Sequence, residues 1–430
     1  MSQPGSLPRR RELPQVNVAS PPPFRLPGEH FAAALVWLVF VALLLPWLAP
    51  RVADGRVLEP AVLALVHMVV LGVLASAIFG ALLQFVPGGL EVPLKSVRLG
   101  HVGFWLLQSG TVALVAGFWL GRPWLQLLAW TLIFGAVGAV SVNVLPARRR
   151  SIHGKLVGLY ISVAHSALGF GMAIALARIG EALGWWRFDR LGAIAAHLGL
   201  GLLGFGTLTA VGVGSRMVPT FLLAHGDDRR RLHLILALAS AGLLVFPIGA
   251  LGGWSAVTRI GAGLLGGSVV AILELAWRWF ARRNRRLDPS LRHVAAAFVG
   301  LAATLAWGLA LAVTDPHDLP RWGAFVAAAV LGWLVMLVIG VMAKIVSHLS
   351  YQHLFRTMPG FARVGNPNQL LRDDWMMAAC GLLAAGSFAL PVALDLGHHA
   401  AAATSAALWS AGVAVTVANY LRMFLLGRRA

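Results

Sequence analysis

Apolar stretches about 20 residues long, separated by short polar segments, recur along the whole chain. As a helix, a stretch of that length crosses a hydrocarbon core of about 30 Å. The pattern predicts an all-α polytopic membrane protein with twelve spans, at 31–50, 59–86, 99–120, 124–146, 154–180, 191–215, 232–252, 257–280, 293–313, 322–348, 374–395 and 401–425. Residues 1–28 are polar and Pro-rich, which predicts a disordered tail without a cleavable signal peptide, followed by a single membrane domain over 29–430.

The composition supports this prediction and excludes a soluble protein. Of 430 residues, 58% are hydrophobic and 12% are charged, whereas about 25% are charged in soluble domains. The formal net charge is +19, and its basic clusters lie in alternate loops, at 9–11, 148–150, 229–231 and 282–286. By the positive-inside rule, both termini are cytoplasmic, and we expect a multi-pass protein of the cell inner membrane. The basic residues therefore orient the chain in the lipid bilayer, and nucleic acid is not an expected partner.

A short motif ends three of the predicted spans. It reads "GALLQFVP" at 80–87, "GVGSRMVP" at 212–219 and "GVMAKIVS" at 340–347. Its glycines are 132 and 128 residues apart, so the motif closes spans 2, 6 and 10. The chain is therefore predicted to contain three four-helix units, roughly 31–146, 154–280 and 293–425, in a pseudo-threefold arrangement. We interpret the glycine as a close helix contact, the following polar residue as a headgroup-level anchor and the proline as a helix terminator.

Histidines are the main candidates for chemistry inside the predicted spans. Glu274 is the one carboxylate placed well within a span, and the single cysteine, Cys380, excludes a cysteine-rich metal site. His67 and His197 lie 13 and 15 residues before the motif glycines of spans 2 and 6. Their depths therefore differ by less than one helical turn, in the outer half of the membrane. A neutral imidazole is a common ligand of haem iron and of copper, and a hydrogen bond to a neighbouring helix is the alternative explanation.

Three further histidines are weighed as ligands of the same cofactor. His165 lies midway along span 5 between serines that could satisfy it, so a ligand and a hydrogen-bonded core residue are both open. His398 and His399 open span 12 on the outer side, where a second axial or a copper ligand would be useful. A solvated pair at the membrane interface is the alternative for these two residues.

Several stretches resemble a known family. The His-led segment "HMVVLGVLASAIFGALLQFVP" (67–87), the segment "GSRMVPTF" (214–221) and the segment "GVMAKIVSHLSYQH" (340–353) are similar to elements of the NnrS family of bacterial haem- and copper-containing membrane proteins. The twelve spans and the threefold repetition also resemble the subunit I fold of haem–copper oxidases. The resemblance implies a haem cofactor, and also copper, with His67 as a haem or metal ligand and His197 as a second. It also implies a role in nitric oxide or respiratory redox metabolism, with a small diatomic gas as ligand and an electron donor as partner.

The sequence departs from the oxidase pattern in two places. The position of span 10 that matches His67 is Ala327, and span 7 carries only His233, at its inner edge. A complete oxidase centre with two haems and a three-histidine copper is therefore not expected, and whether the protein is an enzyme stays open. Two other functions also remain: a transporter for a small solute or metal ion, with histidines lining the path, and a cofactor-free scaffold subunit that kept the fold. The parallel repeats and the shortage of intramembrane acids count against the transporter.

Overall fold

A computed structural model of the protein describes residues 22–151, 154–187, 190–226, 228–314, 318–352 and 367–429. Within these ranges the chain is helical and contains no strand, and twelve helices are long and apolar enough to cross a membrane. These are spans 1 to 12 in chain order, at Arg25–Ala53, Pro60–Gly89, Val97–Trp119, Pro123–Arg150, Lys155–Ala182, Arg190–Leu222, Arg229–Gly252, Ser255–Ala281, Pro289–Val313, Leu319–Ser350, Asp373–Asp395 and His399–Leu425. The predicted all-helical fold with twelve helices long and apolar enough to cross a membrane is confirmed.

The helix bounds differ from the predicted ones mainly at the ends. Span 1 begins at Arg25, so residues 25–28 of the predicted tail are helical, and Pro27 lies in the first turn, where a missing N–H costs no hydrogen bond. Residues 1–21 of that tail lie outside the described residues. We call the end of the bundle where span 1 begins and span 12 ends the terminal face, and the other end the far face.

Spans 1–4, 5–8 and 9–12 form three units with equivalent contacts. In each unit the third and fourth helices pack together, with a glycine of the third directly against a side chain of the fourth. A Cβ atom added to Gly110, Gly242 or Gly386 would lie 2.7, 2.8 or 2.6 Å from Ile133, Leu265 or Trp409, respectively. Since ordinary Cβ contacts are longer than this, each of these positions requires glycine.

The three motif glycines make a second set of equivalent contacts. A Cβ atom on Gly80, Gly212 or Gly340 would lie 2.7, 2.6 or 2.9 Å from the Cβ of His30, Tyr160 or His293, respectively. These partners belong to the first helices of the three units, spans 1, 5 and 9. The interpretation of the motif glycine as a close helix contact is confirmed, and the motif positions each central helix on the helix before it.

The central helices, spans 2, 6 and 10, share an uncommon backbone conformation. Each changes from α-helix to π-helix for eight or nine residues, at Met68–Ala75, Gly199–Thr207 and Ala328–Val335. The π segment of span 10 contacts the π segments of both other spans. At the end of the first two, the hydroxyls of Ser76 and Thr207 donate to carbonyls five residues back, those of Leu71 and Leu202, at 3.4 and 2.9 Å. π-Helical turns are rare and are frequent at functional sites.

The close contact at Gly212 provides a stability test. We expect Gly212→Ala to lower the free energy of unfolding by about 1–3 kcal/mol, because the new methyl group overpacks against Tyr160. Gly214→Ala is the matched control in the same helix, since its nearest neighbour is Val218 at 3.8 Å. The measurement is thermal unfolding of both variants in the same detergent. Equal midpoints for the two variants would contradict this account of the motif.

Candidate functional site

A cavity of about 600 Å³ lies among the three central helices, toward the far face. Its walls come from the far-face parts of spans 2, 6 and 10 and from spans 1, 3, 4, 5 and 11. Most lining side chains are aliphatic, and the aromatic ones include Phe79, Phe118, Trp130 and Phe205. The volume lies in the range typical of small-molecule and cofactor sites, and such sites combine an apolar wall with a few placed polar groups.

His67 and His197 supply two of those polar groups. Both imidazoles line the cavity, with ring centroids 6.5 Å apart and ring planes at 29° to each other. Each histidine lies seven residues after the first residue of its span, Pro60 or Arg190, which places it about 10 Å from the far-face end of the helix. The repeat thus brings two residues that are 130 positions apart in sequence to one depth and one cavity.

Backbone carbonyls orient both imidazoles. His67 Nδ1 donates to the carbonyl of Leu63 at 2.7 Å, and His197 Nδ1 donates to the carbonyl of Gly171 at 2.9 Å. A carbonyl can only accept, so Nδ1 carries the proton in each neutral ring, and Nε2 keeps its lone pair. Within the described part of the chain, neither Nε2 has a hydrogen-bond partner. In metal-bound histidines, the ring nitrogen that does not bind the metal commonly donates its N–H to a carboxylate, a backbone carbonyl or water. The hydrogen bonds of His67 and His197 follow this pattern.

Among the described residues, the third unit brings no imidazole to the cavity. Ala327 also lines it and comes immediately before the π segment of span 10, as His67 does in span 2. Farther along span 10, the buried Trp333 fills the space against span 6 and donates from Nε1 to Thr207 Oγ1 at 3.0 Å. The cavity therefore has ligand-type side chains from two of its three central helices.

The other predicted ligands lie elsewhere. His165 is buried behind the rings of Phe79 and Phe205, at centroid distances of 6.5 and 5.8 Å, and its Nδ1 donates to the carbonyl of Ile161 at 2.8 Å. It does not line the cavity. His398 and His399 are exposed at the far face, where His399 Nε2 lies 2.5 Å from the Asp54 carboxylate. The structure thus brings His67 and His197 together and places the other three histidines outside the cavity.

The remaining acidic and metal-ligand candidates add nothing at this site. Glu274 lies in the terminal-face half of span 8, where it pairs with Arg231 at 3.1 Å and with Arg278. Its side chain is 40% exposed, so Glu274 is part of a surface ion-pair network. Among the residues that the structure describes, no group of three or more His, Cys, Asp or Glu side chains could hold a metal ion. Among the described residues, the side chains of metal-ligand type that line the cavity are therefore the two imidazoles of His67 and His197.

Two cavity residues were not singled out from the sequence as site residues. Arg178, four residues before the end of span 5, and Arg190, the first residue of span 6, both line the cavity near the far face. In the sequence, such arginines are indistinguishable from interfacial anchors. The sequence does place Arg178 inside an apolar helix, before its end at the face with fewer basic residues, and this position could have marked it as a site candidate.

The chain matches no protein-family model and no curated protein. The similarity of residues 67–87, 214–221 and 340–353 to the NnrS family therefore stays a prediction from the sequence.

The contact between Trp333 and Thr207 is expected to support the cavity wall. Thr207→Val leaves the Trp333 N–H buried without an acceptor, which costs about 1–3 kcal/mol of unfolding free energy. Thr209→Val is the control, because the Thr209 hydroxyl is buried without a hydrogen-bond partner among the described residues. Thermal unfolding in detergent should show a lower midpoint for Thr207→Val only. A loss of equal size in both variants would refute the role of this hydrogen bond.

The repeat also predicts that a third imidazole can be added. Ala327→His should place a histidine on the same cavity as His67 and His197, and three histidines are a sufficient ligand set for Zn²⁺ or Co²⁺. We expect Co²⁺ to bind this variant at least tenfold more tightly than the original protein, measured by the visible absorption of the bound ion. The control is Ala327→His combined with His67→Ala, in which the gain should disappear. No gain in Ala327→His would show that position 327 is not equivalent to position 67.

Proposed function

We propose that this protein is an integral membrane haem protein whose haem occupies the far-face cavity, with His67 and His197 as ligands. One observation carries the proposal: two repeat-related imidazoles share one apolar cavity with their ring centroids 6.5 Å apart. Two metal–nitrogen bonds of about 2.0–2.1 Å each, together with the two ring radii, match this separation. One metal ion between the two rings is therefore compatible with the positions that the helices already have.

The surroundings of the two rings favour haem over a metal ion bound by protein ligands alone. Both Nδ1 atoms are held by carbonyls, so both Nε2 lone pairs are available without a change of tautomer. A haem would bring nitrogen ligands of its own, and His67 and His197 would supply the protein ligands that hold it. A copper ion at the same place would have two protein ligands among the described side chains. We therefore propose copper only as a secondary occupant.

The resemblance to the NnrS family and to oxidase subunit I supports this proposal and extends it to a pseudo-threefold, oxidase-like arrangement of the helices. In that arrangement the far face is the outer side of a bacterial inner membrane, and both termini are cytoplasmic. Bound haem would supply one-electron chemistry or the binding of a diatomic gas such as nitric oxide. The histidines would hold and orient it, and the aliphatic walls would keep water away from it. The absence of a histidine at Ala327 argues against a complete oxygen-reducing centre.

Optical spectroscopy of the purified protein tests the proposal. We expect a Soret band from a six-coordinate haem, and loss or a marked shift of that band in His67→Ala and in His197→Ala. His165→Ala and His398→Ala are the matched controls, because these side chains lie outside the cavity and their removal should leave the band in place. Metal analysis of the same samples should give about one iron per chain. A protein without a Soret band, expressed with ample haem, would overturn the proposal.

The same experiment separates the two rival functions. A colourless and metal-free protein whose expression changes the uptake of a solute or metal ion would be a transporter with the cavity as part of its path. A colourless protein whose cellular function survives His67→Ala would be a scaffold that kept the fold.

A further inference from the structure

Basic residues are concentrated at one corner of the terminal face, where spans 3, 4 and 5 meet. Six exposed cationic side chains lie there, and we call them the basic corner: Lys95, Arg98, Arg148, Arg149, Arg150 and Lys155. Glu91 is the one acidic residue in the sequence from 90 to 158. Among the residues that the structure describes, no carboxylate forms an ion pair with any of the six cations.

The backbone holds these cations close together. The last turn of span 4, Ala147–Arg150, packs on the first turns of span 5, because a Cβ atom on Gly158 would lie 2.5 Å from the Cα of Arg148. At the start of span 3, the backbone N–H of Ser96 donates to Asn143 Oδ1 at 2.9 Å, and Asn143 Nδ2 donates to the carbonyl of Ser96 at 3.0 Å. None of these contacts uses a basic side chain, so the fold places the like charges together without compensating them.

The equivalent corners of the other two units carry their own carboxylates. In unit 3 the same double hydrogen bond joins Asn419 to the backbone N–H and C=O of Arg372, both at 3.0 Å, and the Arg372 guanidinium pairs with Asp374. In unit 2, Asp228 precedes span 7 and pairs with Arg282, at the end of span 8, at 2.8 Å. Within the described part of unit 1, no carboxylate takes this role. The charge of the basic corner is therefore available to an anion from outside the chain.

Apolar side chains continue from the basic corner along the outer surface of the bundle. Arg98, Val102 and Trp105 lie three or four residues apart on span 3 and therefore share one side of that helix. Val102 and Trp105 are 44% and 62% exposed, and Val142 is exposed on span 4, six residues before Arg148. A phosphate bound by the guanidinium groups would thus lie at the end of an exposed apolar surface. This combination matches a phospholipid, which has an anionic head and acyl chains.

We propose that the basic corner binds the phosphate headgroup of an anionic phospholipid, whose acyl chains lie along Val102, Trp105 and Val142. A guanidinium donates two parallel hydrogen bonds to phosphate oxygens, and clustered Lys and Arg side chains at a membrane surface attract anionic lipids. The bound phosphate neutralises cations that come from both sides of the junction between units 1 and 2, so the lipid stabilises that junction. This inference is independent of the proposed haem, because the basic corner lies at the opposite end of the bundle from the cavity.

Lipid titration of the purified full chain tests the site. The protein is freed of lipid in an uncharged detergent and titrated with phosphatidylglycerol or with phosphatidylcholine of the same acyl chains. Native mass spectrometry gives a Kd for the first lipid bound. We expect phosphatidylglycerol to bind about tenfold more tightly than phosphatidylcholine. Combining Arg148→Gln, Arg149→Gln and Arg150→Gln should weaken phosphatidylglycerol binding by about tenfold and leave the Kd of phosphatidylcholine unchanged.

The matched control removes the same charge from another cluster of the same face. Arg283→Gln, Arg285→Gln and Arg286→Gln are combined, in a segment where Arg285 pairs with Asp288 at 3.7 Å and Arg283 donates to the carbonyl of Phe280 at 2.8 Å. This variant should keep the original affinity for phosphatidylglycerol. Equal thermal unfolding midpoints in lipid-free detergent show that the variants and the original protein are folded alike.

A second variant tests the other side of the basic corner. Lys95→Gln combined with Arg98→Gln should also weaken phosphatidylglycerol binding, and it leaves the turn of span 4 unchanged. Glycerol phosphate has the phosphate group without acyl chains, and at equal concentration it should not displace the lipid.

Three outcomes would overturn the proposal. The first is equal affinity of the original protein for the two lipids. The second is an equal loss of affinity in the basic-corner variants and the control variant, which would show that net charge alone is sensed. The third is displacement of the lipid by glycerol phosphate, which would assign the basic corner to a soluble phosphate compound. None of these outcomes affects the Soret band that tests the haem proposal.

Discussion

A chain in hydrocarbon must pair its backbone N–H and C=O groups within its own helices, and this constraint shapes the centre of the bundle. A cavity cannot be made there by breaking a helix toward lipid. Instead, spans 2, 6 and 10 widen into π segments at the level of the cavity, which changes the hydrogen-bond partners without leaving the backbone unpaired. The hydroxyls of Ser76 and Thr207 support the transition back to α-helix by donating to carbonyls of the π segments. His67 lies immediately before the π segment of span 2, and His197 lies two residues before that of span 6, so the change of helix type begins at the level of both cavity imidazoles.

The three units use the same contacts, but the third unit closes the space that the first two leave open. Span 10 packs against span 9 with backbone nearly touching backbone, since a Cβ on Gly300 would lie 2.0 Å from the carbonyl oxygen of Gly332. On its other side, Trp333 is fixed against span 6 by its bond to Thr207. Unit 3 therefore closes one side of the cavity that His67 of unit 1 and His197 of unit 2 line. Three units with equivalent helix contacts thus surround a cavity whose described imidazoles come from two of them.

The sequence alone was sufficient for the features that depend on counting residues along a helix. Residue counts predicted the twelve spans and the common depth of His67 and His197, because depth follows from a rise of about 1.5 Å per residue. The close contact at the motif glycines was predicted from the residue type. They could not show which side of the helix a residue occupies relative to its neighbours. His165 has a suitable depth, yet it lies behind Phe79 and Phe205, and this follows from packing that no local pattern contains. The π segments were also missed, because a change from i+4 to i+5 hydrogen bonding leaves no fixed residue pattern.

The distribution of charge bears on how so apolar a cavity could hold a charged cofactor. A charge that enters a low-dielectric site needs a partner there, since an unpaired one loses its hydration without compensation. His67 and His197 donate from Nδ1 to the carbonyls of Leu63 and Gly171, and as neutral rings they add no charge at the cavity. Arg178 and Arg190 are the two charged side chains among the described residues that line the cavity, and both lie toward its far-face end. The charge at this cavity is therefore basic and lies at one end, and the two imidazoles are surrounded by uncharged side chains.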